Sequence, residues 1–273
     1  MSGMTYRGVE IRRPRPRLVH RMIPTRSTWI SCGAVLVLLI VWDLAARAYN
    51  TPGLFPTVPN TFETLWHEFT AGDFLRAISQ TVWRIVIGFL TGSLVGAILG
   101  LAMGSIPIVR RSLEPYVHFF RFVTPVAWVA PAAVWVGVGA PSVVFLIIYA
   151  TLFLVVVNTM DGVVHVHRDR LRMVRCFGGS HRQAMTGVIV PSSIPFILAG
   201  MRVGMSNSFA TAIGVEMLTG TFGIGNEVYR AHSFYRGDVM FAGIIVIGVL
   251  GYLLNRIFSI AHDRGLRRYL FNG

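Results

Sequence analysis

HVHRDRLRMVRCFGGSHRQAMTGVIVP, residues 165–191, interrupts a chain built otherwise of apolar runs. It is too polar for a bilayer interior, yet Leu171, Val174, Cys176 and Phe177, then Ala184, Met185 and Val188, recur at helical spacing. The pattern predicts two short helices outside the bilayer, broken at Gly178 and Gly179, where a glycine supplies the positive φ that a tight turn between helices requires. Ser180 stands where it can cap the second helix, and Pro191 and Pro195 mark the start of the next apolar run. On residues alone this is a cytoplasmic helical hairpin with an apolar edge and basic flanks, shaped to dock into another protein. An ordinary basic loop is the plainer alternative, and the residues by themselves do not separate the two.

Working outward, six apolar segments approach the roughly 20 residues that cross a bilayer core. They cover residues 29–48, 78–104, 114–138, 141–162, 193–218 and 238–261. The composition agrees: of 273 residues 53% are hydrophobic and only 14% charged, against about a quarter charged in a soluble domain. Every one of the 25 basic residues is arginine. They gather in short stretches between apolar runs, with no basic-aromatic stripe for nucleic acid, so the lipid bilayer is the expected partner and nucleic acid is not. Seventeen arginines fall in the N-terminal tail, the second and fourth connections and the C-terminal tail, against four on the other side, which places both termini in the cytoplasm. The first apolar run follows seven arginines but no small-residue cleavage site follows it, so it is read as a retained helix. The domain reading is a disordered basic tail over 1–28, one transmembrane domain over 29–262 and a cytoplasmic tail over 263–273.

Within the spans, Gly88, Gly92, Gly96, Gly100 and Gly104 recur every four residues on one face, which predicts close helix packing. Pro125, Pro131, Gly137 and Gly139 predict a bent or interrupted third span, freeing carbonyls where a pathway can be lined. Polar residues are costly in a bilayer, and Glu114, Arg121, Asn158, Asp161, Arg202, Asn207, Thr211 and Glu216 stand out for that reason. Ser206, Asn207, Ser208 and Thr211, mid-span in the fifth segment, together with Trp128 and Glu216, are the candidate translocation residues. Hydrogen bonding between helices is the competing account. His165, His167, Asp169 and His181 suggest a metal site only superficially, so no metal or other cofactor is expected. An intramembrane metalloenzyme built on His165, His167 and Glu216 would need residues from opposite sides of the membrane. No phosphate-binding P-loop occurs, and GTFGIG, residues 220–225, follows no strand, so it reads as a tight re-entry on the outer side.

The spacing from Gly178 through Val188 to Val190 and Pro191 resembles the EAA loop of permease subunits in binding-protein-dependent ABC importers. So do the stretches TVWRIVIGFLTGSLVGAILGLAMG, LEPYVHFFRFVTPVAWVAPAAVWVGVGAPS, VVVNTMDGV, VIVPSSIPFILAGMRVGMSNSFATAIGVEML and FGIG, in the family's order over about residues 78–262. The likeness is to the sulfonate, taurine and nitrate importer permeases. It implies an all-α integral membrane protein of the type I importer kind, with six transmembrane helices and a cytoplasmic coupling helix in the cell inner membrane. It implies no enzyme activity of its own. The implied partners are two cytoplasmic ABC ATPases, an external solute-binding protein and a second permease chain, with a homodimer ahead of a heterodimer. The implied cargo is a sulfonate, nitrate or other small organic anion, with a vitamin or pyrimidine-like precursor as the alternative. The implied ATPase contact comprises Arg172, Val174, Phe177, Gly178, Gly179, Ser180 and Pro191. Where the family places Glu-Ala-Ala, this chain has Arg172, Met173 and Val174, which reverses the sign of one contact.

Overall fold

The structure, a computed structural model, describes residues 26–49, 51, 53–70, 72–166 and 168–270, with side chains throughout except at 26–32, 168, 170, 171, 175, 181 and 261–270. The tail expected over 1–28 lies outside the described residues up to position 25, as does His167. No strand occurs among the described residues. The helices are α1 (Arg26–Tyr49), α2 (Val58–Thr70), α3 (Phe74–Ser105), α4 (Pro107–Phe122), α5 (Val129–Val136), α6 (Ala140–Val164), α7 (Arg168–Cys176), α8 (His181–Ala184), α9 (Val190–Thr219), α10 (Ile224–Ser233) and α11 (Gly237–Leu270).

α6 lies at the centre, with α3 along one side and α9 along the other. In lipid the hydrophobic effect does little to draw helices together, so close van der Waals approach has to. The glycine stripe of α3 provides it. A Cβ on Gly88 would lie 2.6 Å from Ile147 Cγ2, one on Gly96 2.8 Å from the Leu152 carbonyl oxygen, and one on Gly100 2.6 Å from Thr159 Cβ. From the other side Gly200 presses against Asn158, and Gly162 of α6 against Phe196. The expectation of a packing stripe is met residue by residue. Ile85 and Phe89 of α3, Ala132 of α5, Val143, Leu146 and Ile147 of α6, and Met205, Ala212 and Val215 of α9 complete one buried cluster. A second cluster joins the start of α3 to α10 and α11 through Phe74, Ala77, Ile224, Ala231, Val239, Ala242 and Val246.

Four helices are long and apolar enough to cross a bilayer among the described residues, and α4 with the segment Pro125–Val136 forms a further pair bent by 95°. The third expected span, over 114–138, is interrupted as its prolines predicted, but its bounds differ. It starts earlier, at Pro107, and breaks after Phe122, because Pro125 has no N–H to continue the ladder and restricts the residue before it. A 3-10 turn (Pro125–Trp128) then leads into α5. Gly137 and Gly139, at φ of 94° and 104°, make the turn into α6. The fifth expected span also differs. Pro191 and Pro195 do not begin it: the helix runs unbroken from Arg182 to Thr219. A π-turn over Met185–Ile189 opens the ladder immediately before Pro191, so the proline ring meets no carbonyl in regular α register. α11 likewise continues past 261 to Leu270, through most of the expected C-terminal tail. α1 is 24 residues long, and Val35, Leu36, Val37, Leu38, Ile40, Val41 and Leu44 on it are all exposed.

Candidate functional site

At one end of the bundle α7 and α8 form the hairpin. α7 stops because Gly178 adopts φ 75°, a left-handed conformation that side chains resist. The Gly179 N–H then donates back to the Val174 carbonyl at 2.8 Å. The next helix is capped reciprocally: the Gln183 N–H donates to Ser180 Oγ at 3.3 Å, and the Ser180 N–H donates to Gln183 Oε1 at 2.7 Å. Ser180 therefore caps as its position suggested, with Gln183 as a partner the sequence reading missed although S-x-x-Q is its signature. The second arm is no separate short helix; it is the first turns of the long helix that becomes α9. Ser105 Oγ, at the end of α3, lies 3.6 Å from Met185 Sδ and ties that arm to the bundle. At the tip Phe177 is 90% exposed and Met173 is exposed too, while Val174 is half-buried. Arg172 is exposed and paired with Asp169 at 3.3 Å. His165 bonds the Asp161 carbonyl through Nδ1 at 2.7 Å and stacks on Phe196. No cluster of three or more His, Cys, Asp or Glu side chains that could hold a metal occurs among the described residues.

Mid-bundle, α4 ends in a tight turn in which the Val123 N–H donates to the Phe120 carbonyl at 3.1 Å. The Tyr149 hydroxyl of α6 donates to the Phe120 carbonyl at 2.6 Å, with that of Val123 at 3.3 Å. Tyr149 also joins an aromatic group with Phe120, Trp128 and Phe153. Of the candidate translocation residues, Trp128 sits in this group. Asn207 Nδ2 donates to the Ala150 carbonyl at 3.3 Å and lines a pocket of about 50 Å³ with Arg121, Tyr149 and Pro125. Ser206 is exposed and lines a second pocket with Phe209, Tyr252 and Asn255. Ser208 and Thr211 are buried; Ser208 Oγ donates to the Gly204 carbonyl and lies 2.5 Å from Thr151 Oγ1. Ser208 thus ties α9 to α6.

Glu216 stands apart from the others, 0% exposed in a closed network at the far end. Arg84 Nη1 of α3 donates to its Oε1 at 2.9 Å, Thr81 Oγ1 donates at 2.9 Å, and the Gly225 N–H donates to Oε2 at 3.2 Å. Arg84 Nη1 also donates to the Phe222 carbonyl at 2.7 Å, and the Ile224 N–H donates to Thr81 Oγ1 at 3.1 Å. The carboxylate thus holds the GTFGIG turn and the start of α10 against α3 and α9. Gly223 packs directly on the Glu216 carboxylate, where a Cβ has no room. Arg84 and Thr81 were missed in the sequence because nothing local marks them; their helical spacing of three acquires meaning only when α9 arrives opposite.

Residues 92–268 match the family described as binding-protein-dependent transport system inner membrane component. The chain is 32% identical to the taurine transport system permease protein TauC of Escherichia coli over 87% of its own length and 89% of that protein's. It is 27% identical to the nitrate import permease protein NrtB of Synechocystis sp. over 83% and 85% of the two lengths. Its fold matches the inward-facing methionine ABC transporter MetNI with a TM-score of 0.62 at 16% identity, over 72% of this chain and 95% of that one.

Proposed function

The chain belongs to the inner membrane components of binding-protein-dependent transport systems, the multi-pass permease subunits of ABC importers, and from that premise we propose that its cargo is a small anion, a sulfonate or nitrate. ATPase subunits and a solute-binding protein are the partners that membership entails. The observation that carries the mechanism is the hairpin: two capped arms around Gly178, with Phe177 90% exposed at the tip and Arg172 beside it. An aromatic held bare of its own fold is an anchor for a partner's pocket. Its second arm is continuous with α9, a helix of 38 residues from Arg182 to Thr219, about 57 Å long at 1.5 Å per residue. A displacement imposed at the hairpin by closing ATPases is therefore delivered, without a loop to absorb it, to Asn207 at mid-span and Glu216 at the far end. Inverting a 1:99 population takes about 5.5 kcal/mol of differential binding, within reach of ATP-driven docking.

The arginine asymmetry supports cytoplasmic termini and a cytoplasmic hairpin, and α1 with its exposed apolar face supplies the sixth span. The second permease copy is the same chain. Asp169 already neutralises Arg172 in part, and an acidic residue in the ATPase cleft completes the pairing. Co-expression with the neighbouring ATPase and permease genes, followed by purification through a tag on this chain, tests the reading. One permease species with two ATPases, whose ATP hydrolysis rises when solute-loaded binding protein is added, is expected. Recovery without any ATPase overturns the docking role, and recovery with a second permease species overturns the homodimer.

A further inference from the structure

On α4, Arg110, Glu114, His118 and Arg121 follow one another at spacings of four, four and three, so they share one face of the helix. The inner end of this stripe is satisfied: Arg110 pairs with Glu114 at 3.2 Å. Its upper end is not. Arg121 is exposed, and among the described residues no carboxylate pairs with it; its guanidinium lies 5.4 Å from the Phe122 ring. Its depth is fixed by Tyr149, which binds the carbonyl of the preceding residue, Phe120. Tyr149 is the tenth residue of α6, about 14 Å from that helix's outer end at 1.5 Å per residue. Arginine at such a depth against acyl chains costs from about 3 to over 10 kcal/mol. The face that carries it must therefore meet water.

We propose that Arg121, at the break in the third membrane segment, is the anion-selecting group of the translocation pathway, binding the oxygens of a small oxyanion such as nitrate or a sulfonate. The inference rests on the importer reading and deepens it. A guanidinium presents a planar fork of donors that matches two oxygens of either group. Asn207 lines the same pocket and has one amide N–H left after its bond to Ala150. The Tyr149 hydroxyl donates its one proton to the Phe120 carbonyl, which would otherwise repel an anion. About 50 Å³ of space is room for a few waters or one small oxyanion. No acidic residue lines this pocket, so its sign favours anions over cations.

The test uses the full complex of this chain with its ATPases and binding protein in proteoliposomes, with labelled nitrate and taurine as probes. Arg121→Gln is expected to lower uptake of the carried anion about 10- to 100-fold, and Arg121→Lys to retain more of it than Arg121→Gln. Arg121→Cys in a Cys32→Ser, Cys176→Ser background adds a readout independent of cargo. Its thiol should react with a membrane-impermeant methanethiosulfonate, and the cationic reagent should restore uptake where a neutral one of similar size does not. Wild-type uptake by Arg121→Gln, an unreactive thiol in resting and turnover conditions, or equal rescue by the neutral reagent would overturn the proposal while leaving the importer reading intact. Dissociation of the dimer in Arg121→Gln would overturn it too, by assigning the charge to a partner's carboxylate. A wild-type complex that carries neither anion would overturn the cargo reading itself.

Discussion

Removing one member of the Arg84–Glu216 pair has an asymmetric cost that the structure orders. Both side chains are buried, at 7% and 0% exposure, and breaking such a pair costs about 3–5 kcal/mol because the survivor is left charged and unpaired. The survivors differ. In Arg84→Met the carboxylate keeps Thr81 and the Gly225 N–H as donors, and it can relieve its charge by binding a proton. In Glu216→Gln the arginine keeps the Phe222 carbonyl and a neutral amide oxygen as acceptors, but it has no counter-charge and cannot lose its proton. Glu216→Gln should therefore lie at the upper end of the range and Arg84→Met at or below the lower. Thermal unfolding in detergent should fall by about 10–20 °C for Glu216→Gln, taking roughly 2–4 °C per kcal/mol. The double variant carries no buried charge and retains a glutamine carbonyl for Thr81 and Gly225, so it should recover most of that loss. A double-mutant cycle in which the two losses simply add, or a Glu216→Gln protein melting within 2 °C of wild type, on the order of 0.5–1 kcal/mol, would refute the reasoning.

Gly178→Val places a β-branched side chain at φ 75°, at a cost of at least about 1–2 kcal/mol; it should uncouple ATP hydrolysis from solute while membrane insertion, followed by fractionation, stays normal. Gly100→Leu at the α3–α6 contact should abolish folded protein on size-exclusion chromatography, whereas leucine at Gly187 or Gly214, where a Cβ would meet nothing within 4 Å, should leave the elution peak unchanged. Arg172→Glu should weaken retention of a homodimer's ATPases on a tagged column, because it places an acidic residue beside Asp169 and opposite an acidic partner.

The long elements were legible because each leaves a local mark. Apolar runs located both ends of α3 and α6 and the start of α11 to within a few residues, the four-residue glycine period announced the α3–α6 seam, and the Gly-Gly-Ser turn announced the hairpin. Two features were misplaced for a physical reason. Proline reads as a boundary from sequence, yet Pro191 and Pro195 both sit inside a continuous helix; ahead of Pro191 a π-turn rearranges the hydrogen bonds. Pro125 stands just beyond the end of α4, whose own Pro115 lies inside the helix, so the residue type alone does not decide the boundary. The amphipathic helices α2 and α10 went unread because their apolar faces are short and matter only once other helices pack on them, α11 on α2, and α3, α9 and α11 on α10. The Glu216 network was half legible: a carboxylate in an apolar run demands a partner, but Arg84 lies 132 residues away, and only the packing of α9 on α3 selects it.

Uptake driven by ATP in sealed vesicles tests the central claim most directly. Proteoliposomes holding this chain with its ATPases, given ATP inside and solute-loaded binding protein outside, should accumulate labelled nitrate or taurine against its gradient, and Gly178→Val should abolish accumulation. Accumulation that proceeds without ATP, or that is undiminished by Gly178→Val, would contradict an importer driven through this hairpin.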